Sequence, residues 1–267
     1  KTPLARGIAA DCESHYFDLE SPRDVARLQN PEMTLGALHG LVVLDEIQTS
    51  PHLFSILRVL ADRPDMPARF LILGSASPDL IRQSSQSLAG RIEFVDLHGF
   101  ELNETGAASA QTLWVRGGFP RSFLAASDAD SVAWREGFVR TFLERDLPQF
   151  GVRTSAQVMR RFWTMLAHSH GQLWNSSELG RALGLTDKTV KSYLDDLTQT
   201  YMVRQLQPWH ENLKKRQVKS PKVYLRDTGI LHHLLSLNDY AGLHSHPKVG
   251  ASWEGFALEQ VLRSHRT

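Results

Sequence analysis

Leu41-Val42-Val43-Leu44-Asp45-Glu46-Ile47-Gln48 combines an apolar run with paired acids. Four consecutive apolar residues, two of them β-branched, predict a strand buried on both faces of a sheet. The strand delivers two adjacent carboxylates at its C-terminal end. In an open α/β sheet, ligands sit in the crevice outside the carboxyl ends of parallel strands, so Asp45 and Glu46 are expected there side by side. One acid suits Mg²⁺, directly or through water; the next suits polarising an attacking water. A strand followed by a turn with solvated acids has the same local pattern, so the neighbouring segments must decide.

Upstream, Lys1-Thr2 matches the last two positions of the phosphate-binding G-x-x-x-x-G-K-[ST] loop and leads into a helix-compatible run through Leu4, Ala5, Ile8 and Ala9. The glycines of that loop are not in this sequence. With them, Lys1 would reach the β- and γ-phosphates and the Thr2 hydroxyl would ligate Mg²⁺. Tyr16-Phe17-Asp18-Leu19 predicts a short strand, and Ser21-Pro22 with Asp24 a helix start. Downstream, Leu53, Ile56, Leu57 and Leu60 have the spacing of a helix packed on a sheet, and Arg69 to Leu73 predicts a third strand. Alternating strands and helices favour a parallel sheet built from crossovers.

Ser75 follows that third strand, where it serves either a turn or a γ-phosphate. Arg91 is either an exposed structural arginine or a group that stabilises phosphate charge. Ile92 to Leu97 alternates like a further strand.

The chain has 267 residues, 42% hydrophobic and 22% charged, enough for one large domain or two to three smaller ones. Its net charge of +1 argues against a uniformly basic nucleic-acid coat. The single cysteine, Cys12, excludes an internal disulfide framework. No apolar run approaches a membrane span, so a cytoplasmic location is expected. The first residues, without an initiator Met, and the last, Arg266-Thr267, suggest a piece of a longer polypeptide.

Lys1-Thr2-Pro3-Leu4-Ala5-Arg6, Phe17-Asp18-Leu19-Glu20, Leu44-Asp45-Glu46-Ile47-Gln48, Gly74-Ser75 and Ser87-Leu88-Ala89-Gly90-Arg91 occur in the order seen in a family of bacterial and archaeal AAA-like P-loop ATPases, which this chain resembles. The resemblance implies that Asp45-Glu46 is the Walker B pair, with Asp45 a Mg²⁺ ligand and Glu46 the catalytic base, and that Ser75 falls at the sensor strand. Leu73 departs from the family, which more often has threonine there. The likeness continues through Gly117-Gly118-Phe119-Pro120 and Glu144-Arg145-Asp146, where Arg145 is expected to pair with a neighbouring acid.

Asn175 to Leu194 holds two amphipathic helices separated by Gly184, with Thr186 or Asp187 capping the second. This is helix-turn-helix spacing. Lys188, Thr189, Lys191 and Ser192 fall at the start of the second helix, where such modules read DNA. Two strands follow, around Tyr201 to Leu206 and Lys222 to Leu225. The loop between them carries Lys214, Lys215, Arg216 and Lys219, as in a winged helix with a basic wing. Such a module contacts double-stranded DNA or docks a protein.

The histidine pairs 168 with 170, 232 with 233 and 244 with 246 lack the spacing and partners of a metal site. Gly250 to Phe256 is similar to the opening of a restriction-endonuclease-like domain in relatives, with Glu254 as its first acid.

The expected organisation is therefore α/β: a partial P-loop NTPase core with a three-layer parallel sheet over 1–105, a helical connector or lid over 106–166, a winged helix over 167–226 and the start of a truncated α/β domain over 227–267. Lys1, Thr2 and Asp45 would bind Mg²⁺ and ATP, Glu46 and Ser75 would serve hydrolysis, and Arg91 would serve charge stabilisation. Hydrolysis would rearrange the winged helix. A non-catalytic, nucleotide-responsive switch that binds DNA or protein is the alternative, and an oligomer is possible in either case.

Overall fold

The computed structural model describes residues 1–64, 67–74, 87–208 and 220–264. The chain forms two compact units, Lys1–Leu97 and His98–Thr267. Ser75, Lys214, Lys215, Arg216 and Lys219 lie outside the described residues.

The first unit is built on three parallel strands, β1 (Ser14–Asp18), β2 (Gly40–Asp45) and β3 (Ala68–Ile72), in the order β1-β2-β3. The apolar run fills the middle strand: Val42, Val43 and Leu44 are fully buried, as a strand flanked on both edges and covered on both faces requires. β2 enters through Gly40 at φ +73°, where an added Cβ would lie 2.4 Å from the Glu13 carbonyl oxygen, so only glycine fits. The ladder runs past the last strand residue, since Leu73 N–H donates to Leu44 O at 2.8 Å.

Helix α1 (Thr2–Ala10) precedes β1 and buries Ala5. Two short helices, α2 (Pro22–Arg27) and α3 (Pro31–Gly36), connect β1 to β2, each with proline in its first turn. Helix α4 (Leu53–Ala61) connects β2 to β3 and buries Leu53, Phe54, Leu57 and Leu60. The strand expected over 92–97 is absent. That stretch has no ladder, and Phe94, Val95 and Leu97 are exposed; alternation creates a strand only where a neighbour accepts its backbone bonds, and no described strand runs beside it.

The second unit is mainly helical. Its longer elements are α5 (Ala110–Arg116), α6 (Asp128–Thr141), α7 (Ala156–His168), α8 (Ser176–Leu183), α9 (Asp187–Gln199), α10 (Thr228–Leu234) and α11 (Val249–Ser264). A π-helical turn, Phe142–Asp146, follows α6. Strands β4 (Gln172–Leu173), β5 (Val203–Leu206) and β6 (Lys222–Leu225) form an antiparallel sheet in the order β4-β6-β5.

Helices α8 and α9 meet at a tight turn. Asn175 and Thr186 cap them, accepting from Glu178 N and Thr189 N, each at 3.2 Å. Gly184 takes the left-handed conformation at the end of α8. One apolar core runs from Leu113 through Trp163, Leu194 and Leu225 to Phe256. That core draws on residues from the segments 106–166, 167–226 and 227–267 alike, Phe256 of α11 among them.

Candidate functional site

At the C-terminal ends of the first unit's strands, four residues singled out in the sequence come together. Asp45, 4% exposed, ends β2. Its Oδ2 accepts from Thr2 Oγ1 at 2.8 Å, and its Oδ1 from the backbone N–H of Glu46 at 3.1 Å. The Lys1 ammonium donates to the carbonyl oxygen of Gly74, just beyond β3. Helix α1 therefore begins at the carboxyl ends of the strands.

Packing around the Lys1 ammonium lowers its pKa, against the pull of the Glu46 and Asp45 carboxylates. That pull identifies the local field as negative and the lysine as its counter-charge.

Glu46 has φ +58° and ψ +45°, the left-handed region, which non-glycine residues enter at a cost of about 1–3 kcal/mol. The turn is held from outside. Ile47 N–H donates to Leu73 O at 3.1 Å, Leu19 N–H to Asp45 O at 3.0 Å, and Thr49 Oγ1 to Leu19 O at 3.1 Å. With Ile47 fully buried, the chain has no room to relax, and the Glu46 carboxylate accepts a bond from Gln48 Nε2.

Two partners were not evident from the sequence. Tyr16, on β1, donates its phenol proton to Asp45 Oδ2, and the Arg6 guanidinium lies 5.4 Å from the Tyr16 ring centre. Burial and the bond to Asp45 push the Tyr16 pKa up to about 12, so the phenol is a neutral donor. Gln48 is the other. Each signal was present, a tyrosine two residues before Asp18 and an amide two after Glu46, but neither belongs to a motif.

Arg91 is engaged elsewhere. Its Nε pairs with Asp62, just past the end of α4, at 2.5 Å, and its Nη1 donates to Ala89 O at 3.0 Å. Its described partners include none of the strand-end residues. Ser75 follows Gly74 directly in the chain but lies outside the described residues.

In the second unit, Lys188, Lys191 and Ser192 are exposed at the start of α9, while Thr189 shares its hydroxyl with Thr186 at 2.9 Å. Arg145 pairs with Asp146 at 2.8 Å. Glu254 bonds Lys222 Nζ at 2.8 Å and Tyr224 Oη at 2.5 Å, ordinary surface tethering.

Several deeply buried polar groups of this unit find partners inside it, whereas Trp163 Nε1, Arg135 Nη2 and His170 Nε2 are buried without one among the described residues. Asp227 accepts from Gly118 N at 2.8 Å and Ile230 N at 2.9 Å, capping α10. His232 Nδ1 donates to Val115 O at 3.0 Å, and its Nε2 accepts from Ser252 Oγ at 2.7 Å. Trp114 Nε1 donates to the same Ser252 oxygen at 2.9 Å. His170 Nδ1 accepts from Leu225 N at 3.0 Å. Burial lowers both histidines to about 4. No group of three or more potential metal ligands occurs among the described residues, and no described helix is long and apolar enough to cross a membrane.

A parallel sheet with a lysine, a hydroxyl and two acids at its carboxyl edge is consistent with a partial P-loop nucleotide-binding core. Residues 1–106 match the AAA domain family. Residues 108–241 match a family described as a domain of unknown function, DUF8612; this match spans half of the chain, and the chain belongs to that family. Uncharacterized proteins of Mycobacterium bovis and Mycobacterium tuberculosis are each 55% identical over 261 residues, 98% of this chain. The chain spans 59% of the length of each of them. No solved structure matches. The AAA match supports nucleotide binding and hydrolysis.

Proposed function

We propose that the first unit binds Mg²⁺-ATP at the strand ends and hydrolyses it. The observation that carries this reading is the 2.8 Å bond from Thr2 Oγ1 to Asp45 Oδ2 beside the Lys1 ammonium. The donor set fits the metal: a hydroxyl and a carboxylate are hard oxygen ligands of the kind Mg²⁺ takes. When bound, the cation neutralises phosphate charge.

Lys1 contributes a positive charge held at the edge of β3, suited to phosphate oxygens. Thr2 and Asp45 would hold the cation through their side-chain oxygens. Glu46, projected from a strained turn past Asp45, is the general base that takes the proton of the attacking water, and Gln48 orients its carboxylate. Ser75 is assigned a phosphate-sensing role from its position after β3. Arg91 is left out of this set because Asp62 already engages it.

We read residues 167–226, preceded by helix α7, as a winged helix, supported by the succession of β4, α8, α9, β5 and β6. Nucleotide turnover would alter its disposition. Helix α9 carries Lys188 and Lys191 against Asp187, Asp195 and Asp196, a net charge of 2 − 3 = −1. That balance favours docking of a protein on α9. DNA contact would rest on Lys214, Lys215, Arg216 and Lys219 of the basic loop, whose joint replacement should flatten the salt dependence of duplex binding.

Glu46→Gln tests the enzymatic reading. ATP turnover should fall while ATP binding persists; an unchanged turnover would overturn the assignment of the base. Lys1→Ala should lose ATP binding, and unaltered binding would overturn the site.

A further inference from the structure

We propose that Tyr16 is a positioning residue for the metal-binding carboxylate, holding Asp45 Oδ2 in place for the cation. The inference rests on the nucleotide reading above and adds a residue to it.

The sheet register makes the contact specific. Tyr16 pairs with Val43 and Asp18 with Asp45, so Tyr16 and Asp45 project from the same face of neighbouring strands, two positions apart along the strand direction. Two positions advance roughly 6.6 Å along the strand, and the diagonal to the neighbouring strand, about 7–8 Å, is within reach of an aromatic side chain. A phenylalanine there would fill the same space without reaching Asp45 with a donor.

Helix α1 closes over this face. Thr2 and Arg6 are four residues apart, on one side of the helix. The first meets Asp45 Oδ2 and the second lies over the Tyr16 ring.

Two hydroxyls thus converge on one carboxylate oxygen. Thr2 has two tasks, since the oxygen that carries its donated proton is also the one proposed to face the cation. Tyr16 has only one. Its phenol fixes the rotation of the carboxylate whatever Thr2 does, and the Glu46 amide fixes the other oxygen. Partners that orient a metal ligand in this way typically account for 10- to 100-fold in metal affinity or activity.

The test is Tyr16→Phe in the full-length protein, read by binding of a fluorescent, non-hydrolysable ATP analogue during Mg²⁺ titration. The variant should need about tenfold more Mg²⁺ for half-maximal enhancement of binding. Its affinity for the analogue in EDTA and its melting temperature should stay close to wild type. A purely structural tyrosine would lower the melting temperature and leave the Mg²⁺ midpoint where it was. Superimposable Mg²⁺ titrations would overturn the role of Tyr16 while leaving the nucleotide site standing. A wild-type protein that binds no analogue, with or without Mg²⁺, would overturn both.

Discussion

Asp45 in the first unit and Glu259 in the second are both buried carboxylates, 4% and 2% exposed, yet they occupy opposite electrostatic situations. Asp45 receives its hydrogen bonds from neutral donors: two hydroxyls and a backbone amide. Glu259 is enclosed by guanidinium groups. Arg204 bonds it through Nε and, at 3.0 Å, Nη2; Arg226 Nε lies at 3.4 Å and Arg263 Nη2 at 3.6 Å. Burial alone would raise the Glu259 pKa, but the Arg204 bond and the surrounding arginine charges hold it below the usual carboxylate range. The charge of Glu259 is neutralised inside the fold. The charge of Asp45 is oriented without being neutralised by its bonding partners and stays available to a cation from outside. The comparison teaches that burial does not separate working carboxylates from structural ones; the charge state of their donors does.

Acid should break the comparison on the side of the second unit. His170 and His232 have folded pKa values of about 4, below the ordinary 6.5, so the unfolded chain binds more protons between those values. Their stabilisation is fully present above pH 6.5 and declines as pH falls toward 4, by about 3 kcal/mol for each histidine. Protonation would cost His170 its Leu225 bond and His232 its acceptor role toward Ser252. Melting temperature followed from pH 7.5 to 4.5 should fall, and His170→Gln should flatten part of that slope.

Glu259→Ala comes next. Removing the acid leaves three buried or half-buried arginines facing one another, and destabilisation of about 3–5 kcal/mol is expected in denaturant melts. Glu46→Gln acts on the other side of the comparison. It should cost about a hundredfold in turnover, near 2.7 kcal/mol of barrier, with little loss of stability. The smallest effect belongs to Arg91→Ala, which should leave nucleotide affinity and melting temperature within error of wild type; a large loss of turnover would return Arg91 to the site.

Much of the first unit was legible because its signals are local. The apolar run of β2, the spacing of Leu53, Leu57 and Leu60 in α4 and the strand before Gly74 each carry their own period. So was the lysine, threonine and acid set, since those residue types stand beside element boundaries. Tyr16 was not legible, because its partner is fixed by the register between β1 and β2, which no single segment encodes. For the same reason 92–97 was misread: alternation was visible and the absence of a described neighbour was not. In the second unit the two helices around Gly184 could be read in advance, with the cap of the second left between Thr186 and Asp187, and it is Thr186. The packing of Phe256 into the core around Leu225 could not, because it depends on long-range ties such as Trp114 to Ser252 and Arg204 to Glu259.

The left-handed backbone at Glu46 bears on laboratory evolution of this protein. Glycine at that position would relieve the conformational cost, while removing the acid on which turnover is proposed to depend. A library ranked only by heat resistance should therefore enrich Glu46→Gly among its survivors and discard activity in the same round. Position 46 is where selection for robustness and selection for work pull the sequence in opposite directions.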